Sequence, residues 1–207
     1  MKKNVLSFVF VLLLISLLKI TLSDSIIAQE LTPTITLTPT PAVKYVKYDL
    51  PYPGILPDHK LYKLKLIRDK LSMRMISDPS KKIDFYLLQA DKGMLAAAML
   101  VDQNKFELAE TTALKAENNI TLISNLFKTT YDWKNTNKSE TQDLIKKVKT
   151  ASLKHQEVLN SLIKRVPKER QKMLKTVIYF SQVNVKEIEK SEKEYDKQMK
   201  LQKMLKK

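Results

Sequence analysis

Cysteine is absent from this chain of 207 residues, and glycine occurs only twice, at Gly54 and Gly93. Without a thiol there is no disulfide framework, no thiolate metal site, no cysteine nucleophile and no lipid-bearing cysteine. At an average usage of about 7%, roughly fourteen glycines would be expected, so phosphate-cradling Gly-rich loops and hairpin-rich β folds find no support. Tryptophan occurs once and histidine twice. What is plentiful is positive charge, with 37 Lys and Arg against 22 Asp and Glu and a formal net charge of +15.

The one long apolar run is Val5 to Leu18, preceded by Lys2 and Lys3 and followed by Lys19 and small or polar residues. That is the three-part pattern of a secretory signal, with a cut expected after Ala28. The run is short of the roughly twenty apolar residues of a spanning helix. An uncleaved anchor, extended through Leu22 with Lys19 snorkelling to the interface, is the other reading. Removing residues 1–28 takes away three lysines and one aspartate, so +15 falls to +13 and the basicity belongs to the exported body. From residue 29 to 44 the chain is rich in Thr and Pro, and Pro33, Pro39 and Pro41 make it a stiff spacer.

Residues 45–131 read as an extended strap followed by a three-helix domain. Tyr45, Tyr48, Tyr52 and Tyr62, with Pro51, Pro53 and Pro57 among them, suit a strap that lays rings on an apolar surface. A first helix is expected from about Asp58, as its cap, to Ile76, with Leu61, Leu64, Ile67, Leu71 and Met75 at helical spacing. Asp78-Pro79 restarts the chain in the arrangement of a capping Asp and a first-turn Pro. The second helix carries Ile83, Leu87, Ala90, Met94, Ala97 and Val101 on one face, and Gly93 among alanines allows close approach of a partner helix. Asn104 suits the left-handed position after its end. A third helix, about Phe106 to Tyr131, has Phe106, Ala109, Ala113, Ala116, Ile120, Ile123 and Phe127 as its stripe. Ala97, Ala109 and Ala116 have the spacing of small positions in a tetratricopeptide unit, but 34 residues on stand Tyr131 and Asp143, so there is no repeat.

Residues 132–138 read as a polar loop holding Trp133, and residues 139–207 as a basic helical hairpin. Ser139 with Gln142 forms a capping-box pattern, and the fourth helix follows with Leu144, Val148, Ala151, His155, Val158 and Leu162. After a turn at Arg165 to Lys168, the fifth has Leu174, Ile178, Ser181, Val185, Ile188, Glu192, Tyr195 and Met199, with its end projecting or fraying past Ile188. The period near 3.5 indicates an antiparallel coiled-coil-like pair. The fold class is therefore all-α, an up-down bundle of about five helices with a long C-terminal hairpin.

The segment Pro53-Gly54-Ile55-Leu56-Pro57-Asp58-His59, continued by Leu61-Tyr62-Lys63-Leu64-Lys65, resembles a bacterial family known only as a domain of unknown function, whose members open with PGxLPDxxLYxLK after a signal sequence. Ser77-Asp78-Pro79 and Phe85 to Lys92 fit its continuation, and the resemblance covers about residues 45–123. Lys60 stands where that family usually has proline. The resemblance implies a helical fold, an exported context and members in candidate-phyla bacteria. It implies no activity, and it gives Pro53, Gly54, Leu56, Pro57, Asp58, Leu61 and Tyr62 a structural role.

No cofactor, metal site or catalytic residue is indicated. His59 lacks the convergent partners of a ligand, His155 falls on an apolar stripe as a structural histidine, and the pairs Glu107/Glu110 and Glu187/Glu189 read as solvated faces. The candidate contact surface is basic: Lys146 and Lys147, then Lys164, Arg165, Lys168, Arg170 and Lys172 about the hairpin tip. Such a surface suits a protein partner or an anionic envelope polymer or lipid. Nucleic acid fits the charge and nothing else, and self-association through the last two helices fits the periodicity. The expected function is that of a non-enzymatic, exported interaction module. An alternative is a small-molecule or metal pocket under the strap, lined by Tyr48, Tyr52, His59 and Tyr86, and an enzyme is the third and weakest reading.

Overall fold

The computed structural model describes residues 45–129 and 138–205; the signal segment, the spacer and the loop holding Trp133 lie outside them. Among the described residues there are five α-helices and no strand: α1 (Tyr62–Met75), α2 (Pro79–Asp102), α3 (Phe106–Thr129), α4 (Lys138–Ile163) and α5 (Gln171–Leu205). A single 3-10 turn, Lys168–Arg170, leads into α5.

The breaks between helices are written locally. Asp78 Oδ1 accepts from the backbone N–H of Ser80 at 2.8 Å and of Lys81 at 3.5 Å, with Pro79 at the first position, where its missing donor costs nothing. At the other end of α2, Asn104 takes φ 59°. The N–H groups of Asn104 and Lys105 then donate to Val101 O and Leu100 O, which satisfies carbonyls the helix leaves free. Pro167 separates α4 from the last helix. Ser139, expected as a cap, is the second residue of the described helix.

Helices α2 to α5 form a four-helix bundle whose neighbours are α2 with α3, α3 with α5, α5 with α4, and α4 with α2. Two antiparallel hairpins therefore lie side by side. Lys147 pairs with Asp84 and His155 with Asp91, so α4 runs parallel to α2. Arg170 meets Glu110 and Lys128 meets Glu187, so α5 runs parallel to α3. The core joins residues from 45–131 to residues from 139–207 in two apolar clusters, one around Ile83, Leu87, Ile120, Phe127, Ile145 and Ile188, the other around Met94, Leu100, Ala113, Leu159, Leu162 and Leu174. Each fully buried aliphatic side chain of this kind contributes about 1.5–3 kcal/mol relative to exposure.

At Gly93, α2 and α3 come close together. A Cβ built there would stand 2.9 Å from the Cβ of Ala116, a distance real methyls do not tolerate. The two small residues thus set the depth of this contact, at about 1 kcal/mol of helix propensity.

The strap, residues 45–61, is without regular structure as far as residue 56, and its alternate residues Val46, Tyr48 and Leu50 turn toward the bundle. Tyr48 packs on the first cluster and Leu50 on the second. Val46 N–H donates to Glu157 Oε2 at 2.8 Å. Laying all four rings on the bundle was expected, but Tyr45 and Tyr52 are 77% and 69% exposed: the period of two aims Tyr45 outward, and it slips at Leu50-Pro51, both half-buried, so that Tyr52 turns out while Pro53 is buried. Asp58 does not cap α1. The chain passes through turns from residue 57 to 61, the helix starts at Tyr62 without a side-chain cap, and Asp58 instead pairs with Lys105 beyond the end of α2.

The apolar stripe expected to pack α1 faces water. No residue of α1 is buried. In α5 the face turned inward is Leu174, Val177, Ser181, Asn184 and Ile188, an alternation of three and four that replaces Ile178 and Val185 with Val177 and Asn184, followed seven residues on by Tyr195. That face carries on to Tyr195, which is buried, and α5 remains helical to Leu205, so the fraying expected past Ile188 is not seen. Lys149, on α4, holds this part of α5 through Glu189 at 3.5 Å and Glu192 at 3.0 Å.

Candidate functional site

Between the two apolar clusters each of the four bundle helices contributes a polar side chain: Asp91, Glu117, His155 and Asn184, all buried. His155 Nε2 lies 2.9 Å from Asp91 Oδ1 on one side, and Nδ1 lies 3.7 Å from Glu117 Oε2 on the other. The second oxygen of Asp91 accepts from the Tyr48 hydroxyl at 2.6 Å, which ties the strap into the layer. The second oxygen of Glu117 accepts from Asn184 Nδ2 at 2.8 Å, and the same amide reaches Thr121 Oγ1 at 3.1 Å.

Burial alone would lower the His155 pKa, but the hydrogen bond to Asp91 and the nearness of Glu117 outweigh it, and the net shift is upward. An imidazolium here donates from Nε2 to Asp91, while Nδ1 and Glu117 Oε2 face each other at ion-pair distance without a hydrogen bond. The Tyr48 hydroxyl is pushed well above its ordinary pKa by burial first and then by its bond to Asp91, so it stays a donor. His155 is wholly inaccessible to solvent. The geometry of the layer suits a register device: sliding any of the four helices by one residue would strand a buried charge. Among the described residues no group of three or more His, Asp or Glu is arranged to hold a metal ion.

The seven cations chosen from the sequence do not make one patch. Lys146 and Lys147 lie on α4 about 27 Å along the axis from Lys164. Lys147 is paired with Asp84 at 2.7 Å. At the tip, Arg165 pairs with Asp102, and Arg170 turns toward Glu110 at 3.5 Å and Glu107 at 3.8 Å, so both pin the hairpin to the α2 and α3 ends. Lys164, Lys168 and Lys172 remain exposed at the tip and without a carboxylate among the described residues. Glu110 is buried, not solvated, because it faces Arg170 across the α3–α5 contact. Glu187 pairs with Lys128, and that bond holds its carboxyl below the usual range.

The four side chains expected to line a pocket under the strap are dispersed. Tyr48 and Tyr86 pack on the first core cluster, Tyr52 points outward, and His59 sits exposed on a turn, where Nδ1 accepts from the N–H of Leu61 at 3.1 Å. Two openings flank α1 instead. A cleft of about 230 Å³ separates Tyr62, Leu66 and Met73 from Phe85, Gly93 and Ala116 of the bundle. A wider groove of about 570 Å³ runs between the strap corner, Tyr52 to Ile55, and Leu61 with Leu64 and Arg68 of α1.

Of the motif residues, Pro53 is buried, and its carbonyl accepts from Lys65 Nζ at 2.9 Å. Asp58 is bound to Lys105, whose hydrogen bond lowers its pKa. Leu56 and Pro57 are half-buried and Leu61 is exposed. Asp91, Glu117 and Asn184 went unnoticed in the sequence because each is a polar residue inside an apolar stripe. The seven-residue spacing through Val177 and Asn184 was the signal for one of them.

A family profile described as a domain of unknown function (DUF5667) matches residues 54–169, past residue 123 and through the whole of α4. No curated protein matches the chain, and no solved structure does.

Proposed function

We propose, for a chain that belongs to the DUF5667 family of domains of unknown function, that it is a non-enzymatic helical interaction module carried outside the cytoplasm, whose hairpin tip meets an anionic envelope polymer. The observation that carries this reading is the division of labour among the tip cations. Arg165 and Arg170 are spent on bundle carboxylates, while Lys164, Lys168 and Lys172 stand free beside them. Lysine is a compact, strongly hydrated point charge on a flexible stem, suited to a disordered polyanion more than to a shaped bidentate site. The positive charge, +15 in the full chain and +13 without residues 1–28, draws such a polymer to the surface from a distance. The non-enzymatic part rests on the closure of the His155 layer, and the extracytoplasmic part on Lys2 and Lys3 ahead of the Val5 to Leu18 run.

The test is retention of the purified protein on immobilised lipoteichoic acid at low ionic strength. Retention that weakens steadily with salt, and elution at lower salt for the combined Lys164→Glu, Lys168→Glu and Lys172→Glu protein, is the expected result. A protein that flows through, or whose elution ignores both salt and these substitutions, would sink the reading.

A further inference from the structure

We infer that the outer face of α1 is a lipid-binding surface that lies in the headgroup layer of an anionic bilayer. Leu61, Leu64, Ile67, Leu71 and Met75 recur every three or four residues on that face, and their exposure runs from 50% at Leu61 to 79% at Met75. At the start of α1 the strap corner continues the same apolar surface, with Tyr52 and Ile55 exposed across the groove from Leu61 and Leu64. Five large aliphatic side chains in one row are more than the scattered exposure of an ordinary surface. Tyr62, Leu66 and Met73 lie on the opposite side of α1, along the cleft toward α2 and α3, so the outer row has nothing left in the bundle to cover it.

The charge around the row selects the occupant. From residue 60 to 76 the chain has six cations, Lys60, Lys63, Lys65, Arg68, Lys70 and Arg74, and a single acid, Asp69. That acid is held by Arg68 at 2.8 Å, and Lys65 is turned back to the strap at Pro53 O. Lys63 and Arg74 flank the row on one side without a carboxylate partner among the described residues. A second copy laid face to face would oppose two surfaces of the same sign. Anionic headgroups above acyl chains match both features at once: phosphates for the flanking cations, hydrocarbon for the leucines, and an interfacial level that suits the Tyr52 ring. With 14 residues, α1 is about 21 Å long, too short to span a bilayer and well suited to lie in its plane.

This surface is separate from the hairpin tip, and it is read separately. Because the chain has no cysteine, a single introduced thiol reports one place. In the full chain, Leu71→Cys carries an environment-sensitive fluorophore, and Leu153→Cys on the exposed side of α4 carries the same dye as reference. Vesicles of phosphatidylglycerol in phosphatidylcholine should raise the Leu71 label several-fold with a blue shift, leave the Leu153 label unchanged, and lose the effect in high salt. Adding Lys63→Glu and Arg74→Glu should abolish the response while circular dichroism shows the same helix content. The Lys164→Glu, Lys168→Glu and Lys172→Glu protein should keep it, so the tip and α1 fail independently. A silent Leu71 label, an equal response to pure phosphatidylcholine, or loss of the response in the tip variant overturns the assignment. A label already shielded without vesicles, in proportion to protein concentration, also overturns it by making a second copy the occupant.

Discussion

Helices α1 and α2 follow one another across three residues, and each carries a row of aliphatic residues at helical spacing, yet they have opposite fates. Ile83, Leu87, Met94 and Leu100 of α2 are fully buried, whereas Leu64, Ile67, Leu71 and Met75 of α1 stand mostly in water. The difference lies in what surrounds each row. On α2 the neighbours are small, Gly93, Ala96 and Ala97, so another backbone can come close, and of the large apolar residues only Leu88 is exposed. On α1 the apolar residues occupy two opposite sides, with lysines and arginines between them, so one side at most can face the bundle. Spacing tells which residues share a face. Whether that face finds a protein partner depends on bulk and charge at its edges.

Four changes sharpen that contrast, in falling order of effect. Replacing His155 by Leu leaves Asp91 and Glu117 buried without their cation, and the loss should be about 3–5 kcal/mol in urea unfolding. A value near zero would mean that the polar layer is not a feature of the folded bundle.

A smaller, reversible version of the same effect comes from pH. His155 titrates near about 6.5 in the unfolded chain and higher in the bundle. Its contribution is therefore complete below the unfolded pKa and fades as the pH rises through the folded one. The urea midpoint should fall as the pH rises above about 6.5, and His155→Gln should flatten that slope. A midpoint that rises across this range in the native sequence contradicts the upward shift.

Next comes Gly93→Ala, where the added methyl meets Ala116 at 2.9 Å. Overpacking of about 1–3 kcal/mol exceeds the helix-propensity gain of about 1 kcal/mol, so a net loss of about 1 kcal/mol is expected, with recovery in the Gly93→Ala, Ala116→Gly double variant. The smallest effect belongs to α1. Leu71→Ser should move stability by no more than about 0.5 kcal/mol, since the side chain is already in water. A loss of the size seen for a core leucine would mean that α1 packs on the bundle after all.

The boundaries of the bundle were legible because local chemistry writes them: Asp78 at its cap, Asn104 in the left-handed position, Pro167 before the last helix. The rows of α2 and α3 were legible for the same reason, as one period holds over seven turns. The polar layer was not, because Asp91 meets His155 64 residues away, and only the packing of four helices brings them to one level. Nor was the spending of Arg165 on Asp102 or of Arg170 on Glu110, since a count of cations says nothing of which carboxylates the fold delivers to them.

Amide hydrogen exchange on the full chain tests the central contrast most directly, because it reads both regions in one experiment. The account predicts slow exchange across α2 to α5, set by global unfolding, and fast exchange throughout α1 that slows only when anionic vesicles are added. Amides of α1 protected as strongly as those of α2 in the absence of lipid would contradict it.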